Sequence, residues 1–176
     1  GKFDTFPAHN FIDVAKGDGE DYVKLAFYGD RLLAFKQRTL QILNISSPSA
    51  SGWFLEKTVP YAGTLYPYSV CDTEYGVIWS NKNGAYLFDG SNVTNITEGK
   101  IADDGSTSYS SSNWSSFSTI NKIVVGYLPE LKQAIFINSS SDATNAFYYD
   151  FRYKSWYYGK NAAPNKDNDG ITNGSS

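Results

Sequence analysis

The sequence predicts an all-β protein made of propeller-like repeats of short antiparallel sheets, with about three blades or part-blades in 176 residues. Aromatic residues make up 16% of the chain, and aromatic side chains suit the pleated, half-buried surface of a sheet. Gly, Asn, Asp and Ser, which form tight turns, interrupt the apolar runs every few residues, and no long helical pattern occurs. The repeat itself is indicated by a hairpin pattern that recurs along the chain.

The first copy of this hairpin pattern lies at residues 31–45. It begins with the apolar run "RLLAF", continues through the polar turn "KQR" and returns as "TLQILNI". Two apolar runs around a short polar turn predict two paired strands. A further β-like piece, "WFLEK" at residues 53–57, follows the hairpin, so the predicted unit is strand, turn, strand, turn, strand.

The second copy of the hairpin lies 45 residues later. It consists of "VIWS", "NKNG" and "AYLFD" at residues 77–89, followed by "VTNI" at residues 93–96. An Asn-Gly pair between two apolar runs is a strong hairpin signal. We therefore expect Asn83 and Gly84 to make the turn and Phe88 to face the next sheet.

The third copy of the hairpin is more widely spaced. It contains "QAIFI" at residues 133–137, an expected loop at 138–144, "AFYYD" at 146–150 and "SWYY" at 155–158. Asp150 ends the return strand where the second copy has Asp89. A period of about 40 to 50 residues made of short antiparallel strands is typical of β-propeller blades. A β-sandwich whose hairpins resemble one another is the alternative.

These copies divide a single all-β region into approximate blade units at residues 11–63, 64–105 and 117–160, followed by a polar tail or linker at 161–176. The serine-rich stretch at 106–118 is expected to be a long loop between blades. Propellers usually have about four to eight blades. Because the chain also starts with Gly1 and contains no Met, we expect it to be a fragment of a longer protein.

The composition argues against several classes of function. A net charge of -3 provides no basic field for phosphate groups, so no nucleic-acid partner is expected. No apolar run approaches the roughly 20 residues of a membrane-spanning helix, so no membrane partner is expected. With one cysteine, Cys71, and one histidine, His9, the chain is poor in the groups of zinc sites and catalytic triads. The sequence therefore predicts no catalytic residue, no cofactor and no enzyme activity.

One segment near the end of the chain resembles part of a calcium-binding loop. Asn165, Asp167 and Asp169 alternate before Gly170, which is the spacing of oxygen ligands in the first half of an EF-hand loop. Ser176 stands where that loop has its bidentate Glu, so the ligand set is incomplete. A plain solvated loop is the alternative.

Aromatic side chains supply the candidates for an interaction surface, namely Trp114, Tyr149, Trp156 and Tyr158. Such residues anchor protein interfaces or stack on sugar rings, and packing between sheets is the alternative. In the segments 147–151 and 156–158, consecutive aromatic residues occupy both faces of a strand. One of the two faces must then lie against something other than its own core.

Three stretches of the chain resemble a family of large tailed-bacteriophage virion proteins with propeller-like blades, which includes tail nozzle and other tail or neck components. The stretches are "FIDV…YVKL…GDRLLAFKQRTLQILNIS", "CDTEYGVIWSNKNGAYLFDGSNVTNITEGKI" and "VVGYLPELKQAIFI…YYDFRYKSWYYG". The resemblance covers about residues 11–159, although such phage proteins are usually much longer. It implies a non-enzymatic virion component, made in the host cytoplasm, that binds other virion subunits and forms homo-oligomers. The alternative is a carbohydrate-binding or host-recognition module, whose partner would be a glycan.

Overall fold

The computed structural model describes residues 19–101, 113–119, 122–139 and 144–159. These residues form strands β1 to β12, one short α-helix and two single turns of 3-10 helix, which confirms the all-β prediction. The helix, α1, is Trp114–Thr119. The strands, in chain order, are Tyr22–Tyr28, Arg31–Lys36, Thr39–Asn44, Phe54–Pro60, Val70–Thr73, Gly76–Asn81, Gly84–Phe88, Val93–Asn95, Ile123–Leu128, Gln133–Ser139, Thr144–Asp150 and Ser155–Gly159.

The strands form three four-stranded antiparallel sheets. Sheet 1 contains β1 to β4, sheet 2 contains β5 to β8 and sheet 3 contains β9 to β12, and in each sheet the spatial order follows the chain order. A sequential four-stranded sheet has the topology of a propeller blade. Face-to-face packing of such sheets is also compatible with sandwich-like architecture.

The hairpin repeat read from the sequence is present in the structure. Strands β2 and β6 begin at residues 31 and 76, and strands β3 and β7 begin at residues 39 and 84, so both pairs are 45 residues apart. Each unit nevertheless has four strands where three were expected. The missed strand is the first one of each sheet, β1, β5 or β9, which pairs with the hairpin along its free edge.

The turn of the second hairpin lies one residue earlier than predicted. Asn81 pairs with Gly84, so Lys82 and Asn83 form the connection and Gly84 already belongs to β7. Gly84 has a φ of 151°, and a Cβ atom there would lie 2.4 Å from Thr97 Oγ1. Close packing against Thr97 and the positive φ, and not a place in the two-residue turn, therefore require this glycine.

Sheet 2 lies between the other two sheets and is buried on both faces. The prediction that Phe88 faces the next sheet is wrong, because Phe88 pairs with Val77 on the side that packs against sheet 1. On the same side, the Trp79 ring lies 5.2 Å from the Phe35 ring of sheet 1. Ile78 and its neighbours on the opposite side pack against sheet 3.

Two apolar cores result from this stacking. The core between sheets 1 and 2 contains Ala26, Leu33, Phe35, Leu40, Ile42, Ala62, Val70, Val77, Trp79, Tyr86 and Phe88. The core between sheets 2 and 3 contains Ile78, Ala85, Ile96, Trp114, Phe117, Ile123, Val125, Ala134, Phe136, Phe147, Tyr149 and Phe151. Alternate residues of β6 and β7 enter opposite cores, as the two-residue period of a strand requires.

Two segments predicted as loops contain regular structure. In the loop expected at 138–144, β10 continues to Ser139 and β11 already begins at Thr144. The serine-rich stretch ends in helix α1. Asn113 Oδ1 accepts hydrogen bonds from the backbone N–H groups of Ser115 (2.9 Å) and Ser116 (3.3 Å), so this side chain caps the helix.

Candidate functional site

The four aromatic candidates from the sequence lie together between sheets 2 and 3. Trp114 is only 2% exposed, Tyr149 is also buried, and Trp156 and Tyr158 are partly buried against the same core. The Trp156 ring centre lies 5.1 Å from that of Tyr149 and 6.2 Å from that of Trp114. These rings therefore contribute to the contact between two sheets of the same chain.

The indole N–H groups strengthen the contacts between neighbouring segments. Trp114 donates to the carbonyl oxygen of Asn81 at 3.0 Å, and Trp156 donates to that of Ile96 at 2.9 Å. The first bond joins helix α1 to β6 of sheet 2. The second joins β12 of sheet 3 to the residue that follows β8. A buried indole needs such a partner, because an unpaired donor inside the protein costs free energy.

The outer side of sheet 3, which faces away from sheet 2, also carries aromatic and aliphatic side chains. Strand pairing aligns Tyr157, Tyr148, Ile135 and Gly126 in one row across the sheet. The neighbouring row includes Ile137 and Val124. Val124 is 37% exposed and Tyr157 is 50% exposed. We call this surface the sheet 3 face, defined by Val124, Ile135, Ile137, Tyr148 and Tyr157.

The sheet 3 face corresponds to a surface that is buried elsewhere in the repeat. In sheet 2 the cross-strand pair Ile78 and Leu87 packs against sheet 3. The pair at the corresponding positions of sheet 3 is Ile135 and Tyr148. The repeat therefore places on the outside of sheet 3 the residues that would meet a following sheet.

The turn between β5 and β6 forms hydrogen bonds to both neighbouring sheets. It lies at the end of sheet 2 opposite to the β6–β7 turn. The Glu74 carboxylate accepts hydrogen bonds from Lys132 Nζ and Tyr127 OH of the sheet 3 region. Its backbone carbonyl oxygen accepts one from Tyr28 OH of sheet 1 at 3.2 Å. The bonds from Lys132 and Tyr127 lower the pKa of Glu74, so its carboxylate stays charged at neutral pH.

Equivalent polar residues end the third strand of each sheet or immediately follow it. Asp150 Oδ1 accepts the backbone N–H groups two and three residues later at 2.9 and 3.3 Å, and Asp89 Oδ1 does the same at 2.9 and 2.7 Å. Asn44 Oδ1 accepts the N–H two residues later at 3.0 Å. Arg152 also donates to Asp150 Oδ2 at 2.8 Å and holds the pKa of Asp150 well below its usual range. These side chains shape the turns, as Asn and Asp commonly do.

A cavity of about 530 Å³ opens where the β2–β3 and β6–β7 connections meet the segment between sheets 1 and 2. We call it the hairpin cavity. Asn81 Nδ2 donates to the carbonyl oxygens of Tyr61 (2.9 Å) and Gly63 (2.8 Å), which fixes this segment beside the β6–β7 hairpin. The lining residues are Gln37, Arg38, Tyr61, Thr64, Leu65, Tyr66, Ser69, Ser80, Asn81, Lys82, Asn83, Ser118 and Ile123.

The predicted calcium ligands Asn165, Asp167 and Asp169 lie outside the described residues. Among the residues that are described, no group of three or more His, Cys, Asp or Glu side chains is arranged to hold a metal ion. The same part of the chain contains no helix of the length and apolar character needed to cross a membrane.

Comparison with known proteins gives no family for this chain. No protein-family model matches it, and no curated protein matches it.

Proposed function

We propose that this protein is a non-enzymatic structural component of a bacteriophage virion, in the tail or neck, and that it acts through protein–protein assembly. The single observation that carries this proposal is the sheet 3 face, a set of aromatic and aliphatic side chains on the side of sheet 3 that faces away from sheet 2 within the described residues. The resemblance of the three hairpin segments to phage virion proteins supplies the biological setting. A sequence with one histidine and one cysteine, which offers few combinations of catalytic groups, fits the same proposal.

The packing inside the chain indicates how such a surface would be covered. Sheets 1 and 2, and sheets 2 and 3, bury apolar faces against each other. Burial of apolar surface is favourable by roughly 25 cal/mol per Å², and it drives most protein association. A further β-sheet placed on the sheet 3 face would repeat the contact that sheet 2 already makes with sheet 3.

A second copy of this chain is the partner that we propose for the sheet 3 face. Leu25 and Phe27 of β1 are exposed, and they lie on the opposite side of the strand from Ala26, which belongs to the core between sheets 1 and 2. On the same side of sheet 1, Ala34 and Gln41 of the central strands are already buried, so β1 provides the exposed edge. This β1 edge of one copy would thus meet the sheet 3 face of another copy. A head-to-tail contact of this kind closes into a ring when its rotation allows.

The test is the oligomeric state of variants with a charge on the sheet 3 face. Val124→Lys and Tyr157→Lys should shift the protein from oligomer towards monomer, because a lysine ammonium resists burial in an apolar contact. Sedimentation velocity over a range of protein concentrations measures this shift. Both wild-type side chains are substantially exposed, so circular dichroism should show an unchanged fold.

Leu131→Lys is the matched control. Leu131 is an exposed apolar residue of the turn between β9 and β10, outside the sheet 3 face. This variant should keep the oligomeric state of the unmodified protein. A wild-type chain that remains monomeric at high concentration would refute self-association through this face, and so would equal effects of Leu131→Lys and Val124→Lys.

A further inference from the structure

We propose that the hairpin cavity binds a saccharide that carries a carboxylate group. This site is separate from the sheet 3 face, and the proposal does not depend on the assembly function. Its volume of about 530 Å³ lies within the range of small-molecule sites, about 300 to 1,000 Å³. Within the described residues, the cavity has ordered walls, an aromatic ring, two cationic side chains and one buried hydroxyl group without a partner.

The walls of the hairpin cavity are held in place by hydrogen bonds between separate segments. Gly63 N–H donates to the carbonyl oxygen of Arg38 at 3.1 Å, and Thr64 N–H donates to that of Lys36 at 2.9 Å. Thr64 Oγ1 donates to the carbonyl oxygen of Ser80 at 3.1 Å. These bonds join the β2–β3 connection, the segment between sheets 1 and 2, and β6. A ligand would therefore meet a preformed surface, which lowers the entropic cost of binding.

Tyr61 presents an aromatic ring at this site from an unusual backbone conformation. It has a φ of 61°, which is uncommon for a residue with a bulky side chain, and it is 73% exposed. Its carbonyl oxygen accepts hydrogen bonds from the side chains of Asn81 and Asn83, which hold this conformation. Strained residues of this kind concentrate at ligand sites. An exposed tyrosine ring offers a flat apolar face on which a sugar ring can stack.

The charged side chains favour an anionic ligand. Arg38 and Lys82 line the cavity, and none of the described residues that line it is an Asp or Glu, although the whole chain has a net charge of -3. Lys122 lies beside the cavity, with its ammonium nitrogen 5.3 Å from the centre of the Tyr66 ring. Glu20 is an acidic partner of Arg38, with its carboxylate 3.4 Å from Arg38 Nε. Lys82 is exposed and could pair with a ligand carboxylate.

Ser80 supplies an independent indication of a polar ligand. Its side chain is buried, with the residue only 2% exposed, yet its Oγ atom has no hydrogen-bond partner in the described part of the chain. Ser80 is also one of the residues that line the cavity. A buried hydroxyl without a partner costs free energy. The Ser80 Oγ atom is closed to solvent, so a ligand hydroxyl group would remove that cost once the Ser80 side chain turns towards the cavity. Sugars that carry a carboxylate provide such hydroxyl groups next to the charge that Lys82 would bind.

Isothermal titration calorimetry with three probes tests the class of ligand. The probes are an oligosaccharide of galacturonic acid, a neutral galactose oligosaccharide of the same length, and inorganic phosphate. We expect the acidic oligosaccharide to bind about two- to fivefold more tightly than the neutral one, because an ion pair with an exposed lysine contributes at most about that factor. Its affinity should fall as the salt concentration rises.

Two matched pairs of variants locate the binding site. Lys82→Gln should weaken binding of the acidic oligosaccharide by about two- to fivefold and leave the neutral one unchanged, whereas Lys57→Gln, at an exposed lysine of β4, should change neither. Tyr61→Asn removes the ring but tolerates the positive φ, and it should weaken binding of both oligosaccharides. Tyr153→Asn, at a tyrosine that is 72% exposed elsewhere, should have no effect.

Ser80→Ala separates binding from folding. Because the Ser80 hydroxyl has no partner among the described residues, the alanine variant should unfold at the same or a higher urea concentration, while its affinity for the acidic oligosaccharide falls. The proposal is overturned if no oligosaccharide binds, if the neutral oligosaccharide binds equally well, or if phosphate alone binds as tightly as the acidic oligosaccharide. It is also overturned if each control variant loses as much affinity as its partner.

Discussion

At the scale of single residues, Asn44, Asp89 and Asp150 show how the repeat keeps a turn while the chemistry of the residue changes. All three accept a backbone N–H two residues later, but of the three only Asp150 has a guanidinium partner within the described residues, Arg152. The sequence was sufficient to align Asp89 with Asp150. It could not show the ion pair, because the position of Arg152 relative to the carboxylate depends on the path of the turn.

Asp150→Asn should therefore reduce stability at neutral pH more than in acid. The pKa of Asp150 is lowered in the folded protein, so its stabilising contribution is present above the unfolded pKa of about 3.9 and is lost as the pH falls towards the folded value. Asparagine can keep the backbone bonds, as Asn44 does, but it loses the charge. Urea unfolding at pH 7 and at pH 3 should show a difference between variant and wild type that shrinks in acid.

Asp89→Asn is the control for this pH effect. The pKa of Asp89 is lowered chiefly by backbone N–H groups of Asn92 and Ser91, whereas that of Asp150 is lowered chiefly by a guanidinium. Replacement of Asp89 should have a smaller effect at pH 7 than that of Asp150. A difference between Asp150→Asn and wild type that stays constant from pH 7 to pH 3 would contradict the role assigned to the charge.

At the scale of secondary-structure elements, the hairpins could be predicted because their apolar runs are long and their turns are polar. The run around Cys71 has strand-like character, but the place of β5 in the unit could not be predicted, since its four residues, "VCDT", show no sustained alternation and depend on pairing with β6. The orientation of Phe88 was also beyond the sequence. When both faces of a sheet are buried, the alternation of apolar and polar residues no longer distinguishes them.

Gly84→Ala tests the requirement for glycine in β7. The new Cβ atom would lie within 3 Å of Thr97 Oγ1 and Asn95 Oδ1, at a φ that alanine rarely adopts, so we expect a loss of about 2 to 3 kcal/mol in the free energy of unfolding. Urea unfolding at pH 7 measures this loss.

Gly99→Ala is the matched control, because Gly99 also has a positive φ, 66°, but no atom of the described residues lies within 4 Å of its would-be Cβ. Gly99→Ala should therefore lower the free energy of unfolding by only about 1 kcal/mol, which is the penalty for an alanine at a positive φ. Equal losses for the two variants would mean that close packing around Gly84 contributes nothing.

At the scale of the whole molecule, sheet 2 contributes to both apolar cores, whereas sheets 1 and 3 each contribute to one. The sequence could predict the repeat, since the spacing of 45 residues is visible in the letters. It could not predict the hairpin cavity, because the lining residues come from separate segments between Gln37 and Ile123. The individual residues carry no shared motif, and only the stacking of the sheets brings them together.

Hydrogen exchange should reflect the central position of sheet 2. Amide protons of β6 and β7 should exchange more slowly than those of β1 and β12, because the middle strands of sheet 2 are covered on both faces while β1 and β12 are edge strands. Exchange followed by mass spectrometry of peptides from these four strands measures the difference. Slower exchange in β1 or β12 than in β6 would show that stability is not centred on sheet 2.

The two faces of sheet 2 are made by different residues, and each is suited to a different neighbour. The face with Val77 and Trp79 packs against the preceding sheet, and the face with Ile78 and Ala85 packs against the following one. Each unit thus carries both of the surfaces that meet when two successive units stack. Duplication of the DNA for one unit would add a sheet whose two neighbours already present matching surfaces, so such an array can grow during evolution without inventing a new interface.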